Sequence, residues 1–234
     1  MKNMEMTVDS SILYKHIETF SVDKEILPLR SYVESKKGYF FAKRCIDLFT
    51  SALLILLVFS WLFPIIALLI ILDSRGPVFF FQRRVGKGGR TFICYKFRTM
   101  VVNFDADHKQ ATENDSRITR LGNFLRKSNL DELPQLFNVF TGDMSIVGPR
   151  PHMLSDCIKF SSVISGYKFR NLVKPGITGL AQVNGFHGPT SDDYSILKRF
   201  ENDINYIYSA GLWLDFKITV TTVFKRLGFI LTRR

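Results

Sequence analysis

Between Leu48 and Leu72 the chain carries no charged residue. At about 1.5 Å of rise per residue, a helix of that length would reach across the ~30 Å hydrocarbon core of a bilayer. A run that is apolar all round exceeds what the core of a globular domain ordinarily asks of one helix, although a buried core helix is the competing reading. The run starts too far from Met1, and lacks the small-residue cleavage site, to be a removable signal peptide. Pro64 lies inside it, where the missing N–H and the ring's clash with the preceding turn predict a kink. Lys36, Lys37, Lys43 and Arg44 precede the run, and Arg75, Arg83, Arg84, Lys87 and Arg90 follow it. Cationic flanks favour the cytoplasmic side, so both ends are expected there. A re-entrant hairpin that enters one leaflet, breaks near Pro64 and returns satisfies both demands, whereas a straight span leaves one basic flank on the wrong face.

The chain is long enough to bury a core of its own beyond this run. Its 234 residues include 22 phenylalanines and carry a formal net charge of +11, a balance that suits anionic lipid, polyphosphate or nucleic acid as partners. Cys45, Cys94 and Cys157 are far apart, with no CxxC and no histidine at ligand spacing, which argues against a zinc site or a disulfide framework. They read as reduced thiols in a cytosolic setting. His16, His108, His152 and His187 are scattered and read as surface or packing residues.

Residues 1–38 are mixed in charge and weakly periodic, a peripheral extension ahead of the membrane element at 39–74. In the third region, 75–234, the aromatic and β-branched segments Pro77–Val85 and Thr91–Arg98 flank Gly86–Gly89 and predict a β-hairpin. That glycine cluster lacks the spacing of a phosphate-binding loop and precedes no helix. Asp105 and Asp107 form a DxD pattern that suits the metal site of a nucleotide-sugar glycosyltransferase, or simply a solvated loop. Arg117 to Lys127 places Ile118, Leu121, Phe124 and Leu125 at helical spacing, with a basic side that is either solvated or a phosphate clamp. Lys174–Gly179 reads as a polar loop, Leu180–Val183 as a short strand, and 192–208 as a charged segment. Leu212–Arg234 predicts a helix that packs on the core or lies in the membrane interface. The expected fold is mixed α+β, mainly helical: a membrane hairpin, a compact cytosolic domain with one small β-hairpin, and interfacial amphipathic helices.

The adjacent carboxylates Asp131 and Glu132 stand out, about twenty residues before an arginine that Pro149 and Pro151 fix in a turn. Pro134 must occupy the first turn of any helix it joins, and Gly142 stops that helix. The acids would then sit at the positive helix end, where a capping role competes with phosphate chemistry. Arg126 and Arg150 supply two guanidiniums able to share a diphosphate with a carboxylate-held magnesium ion. A carboxylate beside such a phosphate can attack phosphorus and form an acyl phosphate.

YKFRTM (Tyr95–Met100), RITRLGNFLRKSNLDELPQLFNV (Arg117–Val139), GDMSIVGPRP (Gly142–Pro151) and KPGITGLAQVNG (Lys174–Gly185) stand in one order. On these four blocks the stretch from about Tyr39 to Leu227 resembles the bacterial sugar transferases, monotopic phosphoglycosyl transferases that start exopolysaccharide, capsule, O-antigen or protein-glycan assembly. The resemblance implies transfer of a sugar 1-phosphate from a UDP-sugar to polyprenol (undecaprenyl) phosphate, with release of UMP. It implies Asp131 as nucleophile, Glu132 as holder of Mg2+, and Arg126 and Arg150 at phosphate-contacting positions, with Arg98 and Arg117 of the matching blocks as further phosphate contacts. It also implies a re-entrant helix broken at a proline, matching Pro64, and a location at the cytoplasmic face of the bacterial inner membrane. Lipids are then partners, nucleic acid is not, and a homo-oligomer is left open.

Two departures stand out. Phe63 precedes the proline where some relatives have serine, and Asn129 stands where serine or threonine is commoner. The chain lacks the several N-terminal spans of larger relatives, so the minimal catalytic form is expected. Two other functions compete: a glycosyltransferase built on Asp105 and Asp107, which would release UDP, and a basic membrane adaptor, which would turn over no nucleotide.

Overall fold

The structure, a computed structural model, describes residues 22–102, 115–186, 188 and 192–231. Asp105, Asp107, His16, His108 and His187 lie outside the described residues. The elements in chain order are α1 (Val22–Ser35), α2 (Lys37–Leu54), a π-helical stretch (Ile55–Phe59), α3 (Ser60–Asp73), β1 (Phe79–Val85) and β2 (Thr91–Phe97). There follow α4 (Arg120–Ser128), a 3-10 turn (Leu130–Glu132), α5 (Gln135–Thr141), β3 (Ser145–Val147) and α6 (Leu154–Val163). The chain continues through a 3-10 segment (Tyr167–Leu172), β4 (Gly176–Thr178), α7 (Leu180–Val183), α8 (Asp193–Ser209) and α9 (Leu212–Leu231). Mixed α+β and mainly helical describes it.

The apolar run is helical from Lys37 to Asp73, with a mean hydropathy of 3.0 in its most apolar stretch, long and apolar enough to cross a membrane. A buried core helix does not fit, because Leu56, Leu57, Trp61, Leu68, Leu69, Ile71 and Leu72 are all exposed. Pro64 stays inside α3, and the departure from α geometry lies one to two turns earlier, at Ile55–Phe59. The irregularity therefore sits upstream of the proline and not at it, in the kind of local π turn that interrupts an otherwise α-helical run. Phe63, the residue before the proline, stacks on Phe59 at 3.9 Å and meets Phe97 edge-on at 4.7 Å. It fills space between the helix and the hairpin.

Both flanks of the run are bonded to one body. Ahead of it, Arg44 donates to the carbonyls of Val139 (2.6 Å) and Phe140 (2.9 Å), and Asp47 accepts from the Ile146 amide at 3.0 Å. Lys43 pairs at 2.7 Å with Asp215, which also accepts from Tyr39 and Tyr206. After it, Arg98 donates to the carbonyls of Ser74 and Arg75, both at 2.6 Å. Those carbonyls belong to the two residues that follow α3, so Arg98 fixes the exit of the helix.

β1 and β2 pair antiparallel from Phe79 with Phe97 to Val85 with Thr91, the hairpin the sequence predicts. The outer edge of β2 is covered by one side chain: Asn138 of α5, fully buried, donates to the Ile93 carbonyl (2.7 Å) and accepts from the Tyr95 amide (3.0 Å). Two corrections concern the C-terminal part. Gly176–Thr178, expected as loop, is strand β4, parallel to β3, and Leu180–Val183, expected as a strand, is helical. A four-residue apolar stretch has no period of its own, and Gly176 and Gly179 let β4 come close to the backbone at Gly148, which fixes the pairing three residues earlier. The main core joins Leu29 of α1, Phe160 of α6, Tyr167, and Ile196, Phe200, Ile204 and Ile207 of α8, so part of the N-terminal extension belongs to the packed body. A second cluster, Ile66, Ile70, Phe97 and Leu125, seals α3 to β2 and α4.

Candidate active site

Thr119 caps α4 by accepting from the Gly122 amide, and the helix closes at Asn129, which has φ 59°. Asn129 is the sole non-glycine residue in the left-handed region among the described residues, and asparagine tolerates that conformation better than serine or threonine does. The reversal throws Leu130–Glu132 into a 3-10 turn, and Pro134 then leads into α5, which Gly142 ends at φ 96°. No side-chain cap forms at α5, so capping does not account for the acid pair. Asp131 and Glu132 instead line a cavity of about 580 Å³ whose wall includes Lys96, Arg126, Arg150, His152, Arg199 and Arg226.

The two acids, though adjacent, have opposite electrostatics. Glu132 is held bidentately by Arg150, at 2.5 and 3.0 Å, and by Lys96 at 2.6 Å. Burial alone would raise its carboxyl, but Arg150 and Lys96 outweigh it and hold the group well below the usual carboxylate range. Asp131 is as buried and accepts no hydrogen bond among the described residues. Burial first, then the charge of Glu132, push it up to about 6 against the pull of Lys96, Arg126 and Arg150. A desolvated carboxylate that is still ionised near neutral pH is chemically able to act as a base, a metal ligand or a nucleophile. Arg126 is steadied by Thr99, which accepts from its Nε at 2.7 Å.

The loop carrying Arg150 is fixed through its carbonyls. Pro149 and Pro151 have no N–H, but the carbonyls of residues 149 to 152 each accept a bond: from the Gly176 amide (3.0 Å), Arg170 (2.7 Å), Arg84 (3.1 Å) and the Val85 amide (2.9 Å). Arg170 is itself buried and paired with Asp203 at 2.7 Å. His152 sits among these cations with Nδ1 against Tyr167 and Arg170 and Nε2 facing Arg199. Burial and the nearby arginines hold it neutral.

Residues 38–228 match the sequence model of the family described as bacterial sugar transferase. The chain belongs to this family. It is 46% identical over 208 residues to the UDP-glucose:undecaprenyl-phosphate glucose-1-phosphate transferase of Xanthomonas campestris pv. campestris, covering 87% of this chain and 42% of that protein. It is 45% identical over 195 residues to the UDP-N-acetylgalactosamine-undecaprenyl-phosphate N-acetylgalactosaminephosphotransferase of Aeromonas hydrophila, covering 83% and 44%. With the exopolysaccharide production protein PSS of Rhizobium leguminosarum bv. phaseoli it shares 41% identity over 190 residues, covering 79% and 94%. The chain thus spans less than half of the first two relatives and nearly all of the third.

Within this bacterial sugar transferase the structure brings Asp131, Glu132, Arg126 and Arg150 to one cavity. Arg98 borders it, but its guanidinium is turned to the carbonyls at the end of α3. Arg117 pairs bidentately with Asp115 at 2.9 and 2.6 Å and is not among the residues of the cavity wall. Sequence reasoning did not single out Lys96, Arg84, Arg199 or Arg226; His152, expected to be a surface or packing residue, is buried against Phe160 and Tyr167. Lys96 was findable, since it lies in the YKFRTM block two residues from Arg98. The others reach the cavity from β1, α8 and α9, and no spacing rule connects them with the acid pair.

Proposed function

We propose that this chain passes a sugar 1-phosphate from a UDP-sugar to a polyprenol phosphate, releasing UMP. The observation that carries the reading is the split acid pair: Asp131 buried with no hydrogen-bond donor among the described residues, Glu132 neutralised by Lys96 and Arg150. In the first step an Asp131 oxygen attacks the sugar-bearing β-phosphorus, and the bond from that phosphorus to the bridging oxygen breaks, so that UMP leaves with the electron pair. In the second, an oxygen of the polyprenol phosphate attacks the same phosphorus and the Asp131 oxygen leaves, which regenerates the carboxylate. Lys96, Arg126 and Arg150 surround the charge that builds on phosphorus and spare the site reorganisation.

A magnesium ion would be held here by Glu132, beside Asp131. Among the described residues no three metal-binding side chains converge, and Glu132 already uses three of its roughly four lone-pair sites on Lys96 and Arg150. One remaining position on Glu132 Oε2 beside the free carboxylate of Asp131 matches an ion that takes most of its oxygens from phosphate and water. When bound it would neutralise the diphosphate and ease departure of UMP.

The sugar is expected to be scored by UMP release from a panel of UDP-sugars in the presence of undecaprenyl phosphate. Release of UDP instead would replace this reading with a glycosyltransferase.

We further propose that Lys37–Asp73 lies in the cytoplasmic leaflet of the bacterial inner membrane as a re-entrant element. Support comes from the bonding of residues 43–47 and 74–75 to one body, and from the basic flanks. Single cysteines at Lys36 and Gly88, in a background free of Cys45, should both label from the cytoplasmic side. Labelling from opposite faces would establish a span.

A further inference from the structure

Arg226 is the one cavity-wall cation carried by α9, the helix whose outer side is apolar. Trp213, Phe216, Val223 and Phe224 recur at helical spacing and are all at least half exposed. The other side of α9 is committed to the body: Asp215 and Ile218 are buried, and Thr222 bonds Thr178 at 2.7 Å. Arg226 continues that inner stripe, at 215, 218, 222 and 226, and so points from an interfacial helix into the reaction chamber. It is half-buried, and it lies within electrostatic reach of both Asp131 and Glu132.

What Arg226 touches is informative. With the Asn129 amide oriented so that its oxygen faces the guanidinium, the oxygen accepts from Nη2 at 2.8 Å and from Nε at 3.3 Å, in the geometry a phosphate oxygen would take. The Asn129 amide offers the guanidinium one neutral oxygen, whereas a phosphate offers opposite charge and two oxygens for a bidentate pair. Lys96 and Arg150 are each paired with Glu132, deeper at the acid pair. Phe124 is exposed on α4, a helix that contacts α9.

Resting on the transfer reaction proposed above, we propose that Arg226 is the docking residue for the phosphate of the lipid-borne acceptor, a polyisoprenyl monophosphate that reaches the cavity along α4 and α9. A soluble nucleotide donor can arrive from water. An acceptor whose phosphate is tied to a long apolar chain must keep that chain on the apolar surface while its head group enters, and Arg226 is the cation that links the two. Displacing the Asn129 oxygen places the acceptor phosphate next to the turn that carries Asp131, where the second step needs it.

The test uses the full chain in lipid nanodiscs, with Arg226→Gln and Arg226→Lys. Without acceptor, a single-turnover burst of UMP should keep its rate and amplitude within about twofold in both variants. In steady state the KM for undecaprenyl phosphate should rise at least tenfold in Arg226→Gln and less in Arg226→Lys, with the KM for the UDP-sugar unchanged. An unchanged acceptor KM, or an equal rise for donor and acceptor, overturns the proposal. A wild-type protein that gives no UMP burst with any UDP-sugar sinks the transfer reaction itself, and the docking residue is then read by native mass spectrometry alone. Wild type should retain undecaprenyl phosphate over undecaprenol and Arg226→Gln should not; equal retention of the phosphate by both, or of the alcohol by wild type, overturns it.

Discussion

Asp131→Asn is expected to lose turnover by a factor on the order of 10⁴ or more while becoming more stable. The amide keeps the shape of the side chain but cannot attack phosphorus. The stability gain follows from the sign of the shift. Asp131 titrates in the folded chain at about 6, above the usual aspartate value of 3.8, so the folded state holds its proton more tightly than the unfolded state. Its favourable contribution is therefore complete below the unfolded value and is lost as pH rises through about 6, leaving an ionised group that costs on the order of 2–3 kcal/mol at neutral pH. Thermal melts of wild type and variant at pH 7 and pH 4 should show a gap at pH 7 that closes at pH 4. UMP release by the wild type should fall as pH drops through about 6. Full turnover by the variant would remove Asp131 from the role of nucleophile, and a lower melting midpoint at pH 7 would contradict the desolvation argument. Glu132→Gln should behave oppositely, losing stability, because it leaves Lys96 and Arg150 buried against a neutral partner.

The contrast between these neighbours was only half legible in the sequence. Pro134 and Gly142 framed α5 because proline and glycine have backbone requirements that local sequence alone expresses. The β1–β2 hairpin was readable for the same reason, from β-branched and aromatic segments about a glycine cluster. Lys96 reaches Glu132 only because Asn138 pins α5 to the edge of β2, a contact 43 residues apart that no window contains. Arg98, expected as a phosphate contact, lines the cavity with its guanidinium on the carbonyls of Ser74 and Arg75 just past α3, a contact more than twenty residues apart that no window contains. Short stretches are the weakest signals, and Leu180–Val183 is helical directly after the β3–β4 pairing, a long-range contact its own four residues do not encode. Asn129 looked like a departure from the family's habit, and its left-handed backbone and contact with Arg226 give that residue a physical reason.

Asp203→Ala is expected to cost about 3–5 kcal/mol, because it strands the Arg170 guanidinium in a site where both side chains are at most 2% exposed. For a domain of this size that is a fall of roughly 10 °C in the apparent melting midpoint. The consequence for activity separates a packing role from a positioning one. Arg170 also donates to the Arg150 carbonyl and contacts His152 Nδ1, so it holds the loop from which Arg150 clamps Glu132. Exchanging a buried ion pair for apolar residues of similar volume is often neutral or stabilising. Arg170→Met combined with Asp203→Leu should therefore recover much of the lost stability at neutral pH. It should not recover the rate of the UMP burst, since the Arg150 carbonyl has lost its donor and the guanidinium its fixed approach to the acid pair. If the double variant regains both, the pair serves only the core. If stability returns and the burst stays slow by tenfold or more, the buried pair exists to aim Arg150, and the rigidity of the proline loop is borrowed from α8.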